Sequence, residues 1–269
     1  MPDPLLAANV SLLFTEVPLL DRPARAARAG FDAIEMWWPF ESPVPAASDL
    51  ADLLLAIEDA GTALVAMNFF AGDMPAGERG VACDPARAAD LRANVDVVGA
   101  VAERTGCRRF NLLYGKLAPE LDPPTQHAAA ADAVAEAAAT LHPTGAVVLL
   151  EPLAAELNGS YPLHTLEDVL AVIDGPLRER SALNVAPLFD TFHLGMNDVD
   201  IVAAAVRHGA RIGHVQIADA PGRGEPGSGA LPIAAALRSL RDAGYAGPVA
   251  AEYAPTTTTE STLGWRTTL

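Results

Sequence analysis

The sequence predicts an α/β fold, a single (β/α)8 TIM barrel over residues 1–269. Eight short apolar runs alternate with longer, Ala-rich stretches of helical periodicity, and such alternation is typical of a parallel sheet with crossover helices. Eight units in 269 residues match the usual size of a closed eight-stranded barrel. No linker divides the chain, so we expect one domain, with a C-terminal tail over about 256–269.

The first four strand-and-helix units fill the first half of the chain. Apolar runs predict the strands, and a glycine after a periodic stretch predicts the end of several helices. A long loop over 69–85 separates the third strand from its helix. The predicted strands are 7–14, 33–38, 64–68 and 109–115, and the predicted helices are 19–29, 49–60, 85–105 and 125–141.

The second half of the chain repeats this pattern, and its last strand leads into the tail. An open, doubly wound sheet is the alternative fold. Such sheets usually have fewer strands, and no Gly-x-Gly-x-x-Gly motif follows the first strand here. The predicted strands are 146–152, 182–190, 211–219 and 248–255, and the predicted helices are 165–173, 199–208 and 231–243.

The composition is that of an acidic globular protein. Hydrophobic residues make up 51% of the sequence, which excludes a disordered or fibrous chain. The formal net charge of −16 argues against nucleic acid and anionic membranes as partners, since both attract cationic surfaces. Two cysteines are too few for a disulfide framework, and the N-terminus resembles neither a signal peptide nor a membrane span. We therefore expect a cytoplasmic enzyme.

Four successive predicted strands, the fifth to the eighth, end with a side chain that can bind a metal ion. Chemistry in such barrels collects where the strands end, and a carboxylate after a buried run needs a partner. A single strand-end glutamate is more often a helix cap or an ion-pair partner, but four such groups weaken that interpretation. Three carboxylates and one amide oxygen favour Mg²⁺ or Mn²⁺, with Co²⁺ as a substitute. These candidates are Glu151, Asp190, Gln216 and Glu252.

Two histidines and a further glutamate are candidates for substrate binding. His193 follows Asp190 by three residues, and His214 precedes Gln216 by two, which places His214 and Gln216 on one face of their strand. A histidine in a barrel strand is commonly a satisfied interior group, which is the alternative for both. Glu35 ends the second strand beside two tryptophans and either lines the pocket or caps the next helix.

Three cations in loops after predicted strands are candidates for binding an anionic substrate. Arg223 lies in the Gly- and Pro-rich loop at 218–229, Arg79 in the long loop of the third unit, and Lys116 after the fourth strand. Arginine binds a carboxylate through two parallel hydrogen bonds, which favours Arg223 and Arg79 over Lys116. A solvated surface loop is the alternative interpretation.

The segments that contain these residues resemble the hydroxypyruvate isomerase family, within the xylose isomerase-like TIM barrels. The most specific segments are AGERG and PGRGEPGSG, and the resemblance runs from AANVSLLFTEVPLLDR to GYAGPVAAEY. It implies that the four metal candidates hold a divalent ion and that Glu151 and Glu252 form an acid–base pair. The chain has Phe192 where the family usually has Tyr, and GSGA at 227–230 where the family usually has Gly-Thr-Gly-Glu. These departures concern the substrate, because the metal set is intact.

The resemblance implies a metal-dependent aldose–ketose type isomerase of a small hydroxy-keto acid, with hydroxypyruvate to tartronate semialdehyde as the leading reaction. The first alternative is an epimerase or isomerase of a ketose or a 2-oxo-tetronate with the same metal site. A DNA-repair endonuclease of this barrel type is disfavoured by the acidic charge, and a non-catalytic sugar-binding barrel does not need two strand-end glutamates. We expect the tail around Trp265 to be exposed and to pack on a neighbouring subunit if the chain is a homo-oligomer.

Overall fold

The computed structural model describes residues 4–267, and within this part of the chain eight strands close into a parallel barrel in chain order. β8 pairs with β1 and so leaves no open sheet edge. This confirms the predicted fold class. The strands are β1 Leu6–Asn9, β2 Ala33–Met36, β3 Ala63–Asn68, β4 Arg109–Asn111, β5 Val147–Leu150, β6 Val185–Asp190, β7 His214–Ile217 and β8 Val249–Ala251.

The helices surround the barrel. Gly61 and Gly106 adopt left-handed backbone angles directly after the helices Ala47–Ala60 and Ala88–Thr105, which is the predicted role of glycine at a helix end. Two short helices, Ala155–Asn158 and Thr191–Met196, follow the strands β5 and β6 and are absent from the predicted helices. The α-helices of the described chain are α1 Arg22–Arg28, α2 Ala47–Ala60, α3 Ala88–Thr105, α4 Pro123–Leu141, α5 Ala155–Asn158, α6 Leu166–Val172, α7 Thr191–Met196, α8 Ile201–His208 and α9 Ile233–Asp242.

The register of the barrel sets polar side chains of neighbouring strands beside each other. Asn9 at the end of β1 pairs with Glu35 of β2, and Asp190 at the end of β6 pairs with Gln216 of β7. A small cluster of alanines (Ala7, Ala33 and Ala250) fills part of the barrel interior next to these polar side chains. The barrel therefore gathers polar groups towards the C-terminal ends of its strands, where enzymes of this fold carry their chemistry.

The C-terminal tail differs from the prediction of an exposed segment. Residues Thr259–Thr267 form a 3-10 helix, and Trp265 is only 5% exposed. The Trp265 Nε1–H donates to the Tyr253 hydroxyl at 3.3 Å. Arg266 donates to the carbonyls of Ala29 and Gly30 at 2.8 and 2.6 Å, which ties the tail to the turn after α1. The expected exposure of Trp265 is wrong, because its ring completes the packing of this chain.

No helix within residues 4–267 is both long enough and apolar enough to cross a membrane.

Candidate active site

A cavity of about 1290 Å³ opens at the C-terminal ends of the strands. Glu151 directly follows β5, Glu252 directly follows β8, and both line this cavity together with Arg79, Arg223 and His193. Its walls also carry a set of aromatic side chains: Trp37, Trp38, Phe40, Phe70 and Phe192. Charged groups among apolar walls are typical of a site that binds a small polar molecule.

Carboxylates from neighbouring strands meet at the floor of this cavity. One ligand atom from each of Glu151, Asp190 and His193 lies within 4.8 Å of the others. Burial, and then the charge of Asp190, raises the pKa of Glu151 to about 8. Burial likewise raises the pKa of Asp190 and of Glu252, while Arg223 opposes both shifts. Buried carboxylates with raised pKa values are typical of a site that is completed by a cation or that moves protons.

Two buried oxygen atoms of the predicted metal ligands lack a hydrogen-bond partner in the described chain. Asp190 Oδ2 and Gln216 Oε1 have no hydrogen bond there, and such atoms are rare because their desolvation costs free energy. The register sets Asp190 and Gln216 side by side. Unpartnered hard oxygens beside two glutamates are the donor set that Mg²⁺ or Mn²⁺ prefers. The residues present therefore fit the predicted divalent ion.

His193 directs its Nε2 towards this cluster without a hydrogen bond to either carboxylate. Its Nδ1 accepts from the Ala154 N–H at 3.1 Å, so the neutral ring carries its proton on Nε2. Nε2 lies 3.8 Å from Glu151 Oε1 and 3.8 Å from Asp190 Oδ2. Burial, with the charges of Arg223 and Arg79, lowers the pKa of His193 well below its ordinary value. The ring is therefore neutral and offers an N–H to the cavity.

Glu252 and Arg223 form the second charged pair. Glu252 Oε1 accepts from Trp37 Nε1 at 2.6 Å and from Asn9 Nδ2 at 3.0 Å, while its Oε2 accepts from Arg223 Nη2 at 2.5 Å. The same nitrogen lies 3.7 Å from Asp190 Oδ2. Burial opposes the charge of Arg223, but Glu252, Asp190 and Glu151 together raise its pKa. Arg223 thus compensates the carboxylates electrostatically.

The loop that follows β7 holds Arg223 in an unusual backbone conformation. Arg223 has a φ of +53°, which is uncommon for a residue with a side chain. The buried Asp219 carboxylate accepts from the N–H groups of Ala220, Gly227 and Leu231 and so fixes this loop. The surrounding loop therefore stabilises a conformation that brings the guanidinium into the cavity.

Arg79 is a cation of a different kind. Its Nε donates to Asn158 Oδ1 at 2.9 Å, and its Nη1 donates to the carbonyls of Met74 and Glu78 at 3.1 and 2.6 Å. No carboxylate of residues 4–267 lies within ion-pair distance of this guanidinium. Arg79 therefore presents uncompensated positive charge to the cavity.

Three residues that the sequence predicts to bind substrate do not line this cavity: Glu35, His214 and Lys116. Glu35 and His214 lie inside the barrel, 2% and 0% exposed. His214 Nε2 lies 2.6 Å from Glu35 Oε2, so each is the partner of the other. The geometry does not favour the predicted direct contact of these two residues with substrate, because they point into the interior.

Several groups that complete the site were missed by sequence reasoning. Asn111, the last residue of β4, donates from Nδ2 to Glu151 Oε2 at 2.7 Å. Asn9, the last residue of β1, binds Glu252 in the same way. The strand-end position that identifies the glutamates applies to both asparagines and could have found them. The contact of Trp37 with Glu252 has no comparable sequence signal.

Comparison with known proteins shows the family of this chain. Residues 23–269 match the xylose isomerase-like TIM barrel family. The chain belongs to this family. It is 43% identical to a putative hydroxypyruvate isomerase of Streptomyces coelicolor, over 92% of this chain and 89% of that protein. It is 32% identical to a 2-oxo-tetronate isomerase of Cupriavidus necator, over 97% of each.

A solved structure shows the same fold. A protein of Brucella melitensis described as an AP endonuclease of family 2 has a TM-score of 0.86 and 32% identity, with 99% of both chains covered. The relationship to named isomerases over nearly the full chain makes this protein an enzyme, an isomerase of the aldose–ketose type.

Proposed function

We propose that this isomerase interconverts a small hydroxy-keto acid and its aldehyde isomer, with hydroxypyruvate and tartronate semialdehyde as the leading pair. The observation that carries the proposal is the presence of two buried glutamates, Glu151 and Glu252, in one cavity wall with the uncompensated Arg79. The relatives named as hydroxypyruvate and 2-oxo-tetronate isomerases support it.

The reaction is a proton transfer between adjacent carbons. One glutamate removes a proton from the hydroxymethyl carbon of hydroxypyruvate and leaves an enediolate. The other glutamate delivers a proton to the former carbonyl carbon, while the hydroxyl proton passes to the neighbouring oxygen. Glu151 suits this role because its carboxylate lines the cavity and is held in direction by the Asn111 side chain, whose Nδ2 donates to its Oε2 at 2.7 Å. Glu252 is fixed in direction by its contacts with Trp37, Asn9 and Arg223.

A divalent ion is part of the proposal, with Mg²⁺ or Mn²⁺ favoured over Co²⁺. Glu151, Asp190, Gln216 and Glu252 would hold it, and two of these residues offer oxygens that lack hydrogen bonds in the described chain. When bound, the ion supplies Lewis-acid stabilisation of negative charge on the substrate oxygens. His193 adds a neutral N–H donor at the same place.

We assign the substrate carboxylate to Arg79. Arg223 already binds Glu252 and lies near Asp190, so its charge is used within the site. Arg79 is held only by an amide and two carbonyl oxygens and lines the same cavity. A guanidinium whose partners are all neutral can bind a substrate carboxylate without giving up an existing ion pair, and the two groups fit each other through parallel hydrogen bonds.

The Glu252→Gln variant tests the proposed function. We expect wild-type protein with Mn²⁺ to convert hydroxypyruvate, and the variant to lose about 10²–10⁴-fold in kcat, since an amide cannot carry the proton. Glu225→Gln is the matched control, because Glu225 accepts from Thr256 in the neighbouring loop and does not line the cavity. Wild-type turnover in Glu252→Gln would contradict the proposal.

A longer substrate is the second candidate, and the size of the cavity favours it. A volume of about 1290 Å³ exceeds what a three-carbon acid fills. A 2-oxo-tetronate or a ketose would use the same metal and glutamates and extend along the aromatic walls. Incorporation of solvent deuterium into such a substrate, with none into hydroxypyruvate, would establish this candidate in place of the first.

A further inference from the structure

The buried side chain of Glu35 is linked to two of the candidate metal ligands. It contacts Gln216 directly, and it contacts Glu252 through Asn9. Its Oε1 accepts from Asn9 Nδ2 and from Gln216 Nε2, each at 2.8 Å. Its Oε2 lies 2.6 Å from His214 Nε2. Asn9 Nδ2 also donates to Glu252 Oε1 at 3.0 Å. Both carboxylate oxygens of Glu35 are therefore occupied, and the side chain cannot turn without losing a hydrogen bond.

These contacts decide which end of the Gln216 amide faces the cluster. A glutamine amide has an oxygen that can bind a cation and an NH2 group that cannot, and the two ends have nearly the same shape. Glu35 Oε1 accepts hydrogen bonds from Gln216 and from Asn9, so Glu35 selects the NH2 end of Gln216. The oxygen end is left without a partner in the described chain and lies beside Asp190 through the β6–β7 register.

The same carboxylate fixes Asn9, and through it Glu252. Asn9 Oδ1 accepts from the Ser11 N–H at 2.9 Å, so the amide of Asn9 is held at both ends. Its NH2 group is shared between Glu35 and Glu252. A substitution of Glu35 would therefore alter the orientation of both the Gln216 and the Glu252 side chains, although Glu35 itself does not line the cavity.

We propose that Glu35 is a positioning residue that keeps the Gln216 amide oxygen directed at the divalent ion and holds Glu252 through Asn9. This inference rests on the metal site of the proposed function. Glu35 touches neither the substrate nor the reacting atoms in this arrangement. Its effect is on the affinity and order of the metal site, and it is measurable without turnover.

The test is Mn²⁺ binding by calorimetry to the full chain after removal of metal. Glu35→Leu cannot accept a hydrogen bond, so the Gln216 amide is free to present its NH2 group. We expect Mn²⁺ binding to weaken by about 10–100-fold, the usual effect of losing a group that orients a ligand. Glu35→Gln keeps an acceptor oxygen and should recover most of this affinity. Thermal melting of each variant reports whether it is folded, and Glu35→Met is the second non-accepting variant if Glu35→Leu does not fold.

The effect of Glu35→Leu in the Gln216→Glu background distinguishes loss of the Gln216 orientation from a general destabilisation of the barrel. A glutamate at this position offers oxygen at either end, so its direction no longer depends on Glu35. We expect Glu35→Leu to weaken Mn²⁺ binding much less in this background, since only the contact to Glu252 through Asn9 is then lost. A purely structural role would weaken binding equally in both backgrounds.

Two results would overturn the inference while the metal site stands. One is unchanged Mn²⁺ affinity of Glu35→Leu in the wild-type background, and the other is the same loss of affinity in the Gln216→Glu background. A wild-type chain that binds no divalent ion would overturn the metal site itself, and this inference with it.

Discussion

At the scale of single residues, the partners of each arginine in the cavity decide what that arginine can do. Arg223 is bound to Glu252 at 2.5 Å and is flanked by the rings of Trp37 and Phe192. Arg79 has only neutral partners in the described chain. Two cations of the same type therefore serve different purposes, one for the enzyme's own carboxylates and one for the substrate.

Replacement of Arg79 by glutamine should mainly raise KM. A hydrogen bond to a charged group contributes about 1.5–3 kcal/mol, so we expect KM for the keto acid to rise about 10–100-fold with a smaller change in kcat. The Lys116→Gln variant is the control, since Lys116 does not line the cavity. Steady-state kinetics of both variants check this assignment, and equal effects of the two substitutions would contradict it.

Sequence reasoning identified the residues at the strand ends better than those within the strands. Glu151 and Glu252 were predicted because each follows a buried run, and the barrel brings both to one cavity. Glu35 and His214 were predicted for the same cavity, but the structure pairs them inside the barrel. Alternation along a strand indicates to which face of the sheet a side chain points. It indicates neither how deeply the side chain is buried nor which residue it contacts.

At the scale of elements, seven of the eight strands are shorter than the apolar runs that predict them, and β3 is the exception. The run over 109–115 contributes only Arg109–Asn111 to the sheet, while Leu113 and Tyr114 are buried beyond the last ladder bond. Apolar patterning reports burial, and burial continues where the sheet has ended. The short helices α5 and α7 were missed because four and six residues are too few to show a helical period.

The C-terminal 3-10 helix yields a stability prediction. Trp265 is 5% exposed and packs edge-on against Tyr253, with ring centroids 6.3 Å apart. Removal of so large a buried side chain typically costs about 3–5 kcal/mol, so Trp265→Ala should lower the free energy of unfolding by about this amount in urea. Leu183→Ala is the control, because Leu183 is 81% exposed. A Trp265→Ala variant as stable as Leu183→Ala would show that the tail does not belong to the core.

At the scale of the whole molecule, a net charge of −16 is combined with buried carboxylates at one place. An overall negative field repels an anionic substrate. Arg79, whose partners in the described chain are all neutral, supplies the local attraction, and a divalent ion would add to it. The acidity of the chain is thus compensated locally at the site where the substrate must bind.

The raised pKa of Glu151, about 8, predicts how stability depends on pH and metal. The folded state favours the protonated form of Glu151. The contribution of this group to the free energy of unfolding is therefore fully present below its ordinary pKa and is lost as pH rises towards about 8. Without metal, we expect the melting temperature of wild type to fall relative to Glu151→Gln over this range. Excess Mg²⁺ should reverse the trend, because the ion binds the ionised carboxylates. A constant difference between the two proteins, with and without Mg²⁺, would contradict the burial of this carboxyl group.

Exchange of substrate protons with solvent tests the central claim, that Glu151 and Glu252 transfer a proton between adjacent carbons of a keto acid. The measurement is proton NMR of hydroxypyruvate and a 2-oxo-tetronate in D2O with the Mn²⁺-loaded protein, removed before the spectrum is recorded. We predict that wild type incorporates deuterium at a carbon next to the carbonyl of one of these acids. Of Glu151→Gln and Glu252→Gln, the variant that lacks the glutamate removing this proton should lose the incorporation. Undiminished incorporation by both variants, or none by wild type into either acid, would contradict the account.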